Sequence, residues 1–140
     1  MSSTEGREWA DALVGRIKDR TARVGVIGLG YVGLSLAVEF AKADLQVTGI
    51  EIDSEKVTRL RAGESYVQDV KPYEVKGLIA DGKLIVVEDY SLLKELDTVS
   101  ICVPTPLSKT KDPDISYIAA ATREIVRYLH PGQLIVLEST

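Results

Sequence analysis

The chain is poor in several residue types, and each shortage excludes something. It has one cysteine, Cys102, in 140 residues, so no internal disulfide can form. A single thiol suits a reducing compartment. The chain has one histidine, one tryptophan, one phenylalanine and one methionine, so neither a histidine-rich metal centre nor a methionine-rich binding face is expected. No apolar run approaches the length of a membrane span. The N-terminus lacks the apolar stretch of a secretory leader. There is no excess of positive charge: the net charge is −4 and the pI about 5.1. That balance argues against nucleic acid or an anionic membrane as partner. A cytoplasmic protein is expected.

The residues present are enough for one ordinary domain. Hydrophobic types make up 45% of the chain, which supports a real core. Residues 1–6 are small and polar and are expected to fray. Trp9, Leu13 and Ile17 then recur every fourth position, predicting an amphipathic helix over 7–18. Residues 1–20 are read as a helical extension, and 21–140 as the main domain.

From residue 23 the period changes. Short apolar, β-branched runs at 23–27, 46–52, 84–87, 98–103 and 134–137 predict five strands. Between them lie helical patterns at 31–43, 54–61, 72–80, 91–96 and 115–129. Pro72 suits a first helical position. Ser91 or Asp89 is expected to cap the short helix, and Asp114 the last one. A loop is expected at 63–71, and three prolines keep 104–113 irregular. Strands alternating with helices predict an α/β domain of the Rossmann type, a doubly wound parallel sheet. The expected strand order is 3-2-1-4-5, with a ligand crevice between strands one and four, where the order reverses.

The most informative segment is Gly28-Leu29-Gly30-Tyr31-Val32-Gly33. It follows a strand and opens a helix, the context in which GxGxxG carries meaning. Gly28 permits the tight turn, Gly30 lets a pyrophosphate approach the backbone, and Gly33 lets helix and strand pack closely. The helix N-terminus offers free N–H groups and partial positive charge to the phosphates. An acid is expected about 20 residues on, to bind the ribose hydroxyls. Glu51 and Asp53 are the two candidates. Glu51 closes the apolar strand and is assigned to the ribose; Asp53 stands where the next helix needs its N-cap. A carboxylate there repels a 2′-phosphate, so NAD is favoured over NADP. Lys56 and Arg59 are read as exposed helix charges. Cys102 is read as a strand residue acting as a small hydrophobe. His130 is placed at a helix end, where a cation suits the dipole.

Two further segments, Ile101-Cys102-Val103-Pro104-Thr105-Pro106-Leu107 and Glu138-Ser139-Thr140, join the glycine turn in an order that closely resembles the UDP-glucose/GDP-mannose dehydrogenase family. The resemblance covers about residues 20–140. Residues 104–114 and Ala62-Gly63-Glu64-Ser65-Tyr66 look like the branch that acts on UDP-N-acetylglucosamine or its epimer. The resemblance implies oxidation of the C6 alcohol of a nucleotide sugar to a carboxylate, by two hydride transfers to NAD. It implies cofactor contacts at Tyr31, Val32, Val103, Pro104, Thr105, Glu138 and Ser139, and a catalytic role for Thr140 near the reacting carbon. The family's cysteine nucleophile lies in a later domain, as does its sugar site, and Cys102 is not that cysteine. The chain is therefore expected to be the N-terminal part of a longer, homo-oligomeric enzyme, inactive by itself. No metal is implied. The alternative is a regulatory NAD-sensing module, which would share the glycine turn but not the other two segments. A hydroxyacid or phosphogluconate dehydrogenase type would share the first two βα units only.

Overall fold

The computed structural model describes residues 3–138. Five parallel strands form one sheet in the order β3-β2-β1-β4-β5: β1 Arg23–Ile27, β2 Gln46–Ile50, β3 Leu84–Val87, β4 Thr98–Ile101 and β5 Leu134–Leu137. The helices are α1 Ser3–Lys18, α2 Tyr31–Lys42, α3 Ser54–Arg61, α4 Pro72–Ala80 and α5 Ser116–Tyr128. This is the Rossmann-like α/β architecture, with helices on both sheet faces.

The sheet is buried on both faces because crossover helices cover both. On one face Val24, Val26, Val47 and Val86 pack with Leu34, Val38 and Ala41 of α2, Leu60 of α3 and Val75 of α4. On the other, Ile27, Ile50, Val99 and Ile101 meet Leu93, Leu96 and Ala121 and Ile125 of α5. Register aligns Val87, Ile50, Ile27, Ile101 and Leu137 in one row across the sheet. Every strand thus ends at the same level, and the loops that follow form one rim.

Four expectations need correction. The first helix starts at Ser3 rather than at residue 7. Glu5 lies in its first turn, where negative charge favours the helix dipole. Of the stripe on α1 only Leu13 is buried. Strands two and four stop at Ile50 and Ile101, short of 52 and 103. The Glu51 and Cys102 amides still bond to Val87 and Ile27, but beyond them no neighbouring strand offers partners. The short helix at Ser91–Glu95 is a 3-10 helix whose N-cap is neither Ser91 nor Asp89 but Tyr90, with no side-chain cap; Asp89, just before it, accepts the Ser91 amide at 2.6 Å. Among the described residues, no helix is long and apolar enough to cross a membrane.

α1 is joined to the sheet by one acid. Asp97, just before β4, accepts the Arg16 guanidinium at 3.1 Å and the Arg23 amide at 2.8 Å. The His130 ring lies past α5, with Nε2 2.7 Å from the Leu96 carbonyl and Nδ1 3.0 Å from that of Pro131. It braces a loop at the far end of the strands from the glycine turn.

Candidate dinucleotide site

A crevice of about 560 Å³ opens at the strand C-termini where the sheet order reverses, with Ile27, Ile50 and Cys102 on its floor. Of the residues singled out from the sequence, Gly28, Gly30, Tyr31, Val32, Glu51, Asp53, Val103, Pro104, Thr105 and Glu138 all line it. Gly33 stands behind it, and Ser139 and Thr140 lie outside the described residues.

The glycine turn is built from three different constraints. Gly28 has φ +91°, and a Cβ there would lie 2.8 Å from the Cys102 carbonyl oxygen. A Cβ on Gly33 would sit 1.7 Å from the Gly28 carbonyl oxygen, so only glycine lets α2 start this close to β1. Gly30 differs: a Cβ built on it meets nothing within 4 Å. Its backbone faces open crevice. Gly30 is also the N-cap of α2, no side chain caps the helix, and its first turn holds no acid. The partial positive end of the helix is left for a ligand anion.

Beside the turn, Glu51 is buried, with 7% of its surface exposed. Its Oε1 accepts the Leu29 amide and its Oε2 the Asp53 amide, both at 3.0 Å. A carboxylate has about four acceptor positions, so the two amides leave about two, on a residue that lines the crevice. Asp53 does the other job: its Oδ1 accepts the Glu55 amide at 3.0 Å and caps α3. The two neighbouring acids therefore divide as the sequence suggested, one strand-end acceptor and one helix cap.

The opposite wall is the segment after β4. Cys102 is not within the strand as expected but one residue past it, half-buried at the crevice. Burial, and then the negative charge of Glu138, push its thiol pKa up to about 11. The thiol is neutral near pH 7, which makes it a poor nucleophile. The following loop is irregular as expected, apart from a single antiparallel bridge between Leu107 and Pro113. Asp114 accepts the Ser116 amide at 2.9 Å, but it stands one residue before the N-cap of α5, which is Ile115 and carries no side-chain cap.

Sequence reasoning missed several lining groups: Ile52, Lys56, Tyr90, Tyr117 and Ala120. Lys56 and Arg59 are not simply solvated. Each places its cation 5.5 Å from the centroid of the Tyr66 ring. Tyr66 comes from the loop between α3 and α4, and its hydroxyl donates to the Leu29 carbonyl. The Tyr31 hydroxyl donates to Asp69 of the same loop. A period-based reading does not see the two hydrogen bonds, because they span 37 and 38 residues.

The residues fit a dinucleotide: an open backbone at Gly30, an uncapped helix end and a carboxylate with free acceptor positions share one crevice. Comparison with known proteins agrees. The family model described as "UDP-glucose/GDP-mannose dehydrogenase family, NAD binding domain" matches residues 22–140. The chain is 36% identical over 119 residues to UDP-N-acetyl-D-mannosamine dehydrogenase of Pyrococcus horikoshii, covering 84% of this chain and 28% of that protein. A solved structure of UDP-D-ManNAc dehydrogenase from P. horikoshii superposes with a TM-score of 0.78 at 36% identity, over 84% of this chain and 28% of that one. NDP-N-acetyl-D-galactosaminuronic acid dehydrogenase of Methanosarcina mazei superposes with the same TM-score at 33% identity, over 91% and 30%. The chain thus spans little more than a quarter of the length of these relatives. It belongs to the UDP-glucose/GDP-mannose dehydrogenase family, and residues 22–140 are its NAD-binding domain.

Proposed function

We propose that the crevice binds NAD with the pyrophosphate on the turn Gly28–Gly33 and the adenosine ribose on Glu51. The observation that carries this reading is Glu51 itself: a buried carboxylate that lines the crevice beside the glycine turn and accepts two backbone amides, which uses two of its about four acceptor positions. A vicinal diol supplies two donors to match. A 2′-phosphate supplies negative charge against a buried carboxylate, so NADP is disfavoured. Gly30 admits the pyrophosphate against the backbone, and the α2 N-terminus stabilises its charge. Val103, Pro104, Thr105 and Glu138 form the wall that meets the nicotinamide half. When bound, NAD accepts the hydride; this chain's residues bind and orient it and exclude water.

The full-length enzyme, on this reading, is a cytoplasmic oxidoreductase acting on a UDP-linked N-acetylhexosamine. It converts the C6 alcohol to the carboxylate of a uronate. Support comes from the relatives, whose names specify UDP-N-acetyl-D-mannosamine and an NDP-N-acetyl-D-galactosaminuronic acid, and from the segments 62–66 and 104–114. The sugar is held by parts of that enzyme outside this chain, which spans only 28% of the length of the P. horikoshii relative over the matched region. Titration calorimetry with NAD and NADP tests the cofactor site. NAD is expected to bind more tightly; equal or tighter NADP binding would refute the assignment of Glu51.

A further inference from the structure

We propose that Tyr66 is a positioning residue of the dinucleotide site, whose hydroxyl holds the glycine turn in its phosphate-accepting shape before any ligand arrives. The inference rests on the reading that NAD occupies this crevice.

The turn has two residues with weak intrinsic constraint, Gly28 and Gly30, on either side of Leu29. Glycine loses more conformational freedom on ordering than any other residue. Something must hold Leu29 for the turn to be preformed, and all three of its groups are held. Its side chain is fully buried and packs over Gly49, where a Cβ would lie 2.8 Å from Leu29 Cδ1. Its amide donates to Glu51 Oε1. Its carbonyl accepts the Tyr66 hydroxyl.

Tyr66 is itself well anchored. Lys56 and Arg59 hold their cations over its ring, and the buried side chains of Val67 and Val70 fix the loop that carries it. The Tyr31–Asp69 hydrogen bond ties the same loop to the first turn of α2. Burial, with the charges of Glu51 and Asp53, raises the Tyr66 pKa against the opposing pull of Arg59. The hydroxyl therefore remains a donor throughout the neutral range. A turn held in this way binds its ligand without first being ordered, and affinity rises because that cost is removed.

Tyr66→Phe keeps the ring and removes only the donor. Ile125→Ala removes buried carbon from α5 on the other face of the sheet, away from Tyr66 and its loop. Calorimetry with NAD and with ADP-ribose, beside thermal melts, separates positioning from general destabilisation. Tyr66→Phe is expected to weaken NAD and ADP-ribose by the same factor, about fivefold to tenfold. Ile125→Ala is expected to lower the melting temperature at least as much while leaving both affinities near wild type. If Tyr66→Phe binds NAD like the wild type, the inference is wrong while the crevice assignment stands. If Ile125→Ala weakens binding as much as Tyr66→Phe, the loss reflects general destabilisation and Tyr66 is merely structural. If the unsubstituted chain binds no NAD, the crevice assignment falls and this inference with it.

Discussion

The Glu51 carboxylate accepts the amide of Leu29 at 3.0 Å, joining the end of β2 to the middle of the glycine turn. One acid thus shapes the phosphate loop and, on the proposed reading, receives the ribose. Substituting it should affect both. Glu51→Ala strands two amides, those of Leu29 and Asp53, at a cost of about 1–3 kcal/mol for each buried one. It should also weaken NAD roughly tenfold or more, through loss of charge-assisted hydrogen bonds. Asp53→Ala removes the α3 cap and should lower stability by about 1 kcal/mol with a smaller effect on NAD. Denaturant melts and titrations on both variants check the order. A larger NAD defect in Asp53→Ala would reverse the assignment.

The glycines separate packing from binding. Gly30→Val enters open space, so the melting temperature should stay within a few degrees of wild type. Its branched side chain then occupies the pyrophosphate position, and NAD binding should be lost. Gly33→Ala faces a backbone oxygen 1.7 Å away, so α2 must move. That change should cost about 3 kcal/mol or more before any ligand is considered. Normal NAD binding by Gly30→Val would move the phosphate site elsewhere.

Much of this was readable in the sequence because it is local or periodic. The strand order followed from five apolar runs alternating with helical patterns, which imply a doubly wound sheet. The division of labour between Glu51 and Asp53 followed from position: one closes an apolar strand, the other precedes a helix. What could not be read depends on where a loop travels. Tyr66 and Asp69 lie in a segment of no regular structure, and their partners are set by how α3 and α4 pack. Lys56 and Arg59 looked solvent-facing on a helical wheel because nothing in the sequence placed an aromatic ring beside them. Cys102 was misplaced by one residue, enough to move it from strand interior to crevice wall.

That position makes Cys102 a reporter. Its pKa near 11 against an ordinary value of about 9 leaves roughly a hundredfold less thiolate at pH 8, and the thiolate is the reactive form. Alkylation by iodoacetamide should be correspondingly slow in the folded chain. Its rate should keep rising with pH beyond 9, toward about 11, because the folded thiol ionises later than a free one. Bound NAD should slow it further, since Cys102 lines the same crevice. A fast reaction at pH 8, unaffected by NAD, would contradict both the burial argument and the site.

The same thiol bears on whether this chain alone performs chemistry. Oxidation of an alcohol to a carboxylate needs a nucleophile to capture the aldehyde before the second hydride leaves, and the resemblance assigns that task to a cysteine. Cys102 is the chain's one cysteine, and burial and Glu138 keep it neutral. Hydride transfer also needs the sugar carbon held against the nicotinamide in near-attack geometry. On the proposed reading the cofactor takes the crevice walls. The 140-residue chain should therefore bind NAD yet give no rise in NADH absorbance with UDP-N-acetylglucosamine, UDP-N-acetylmannosamine, UDP-glucose or GDP-mannose. Cys102→Ser should change neither result. Steady turnover of any of these sugars, abolished in Cys102→Ser, would make Cys102 catalytic after all and overturn the separation of cofactor binding from sugar chemistry.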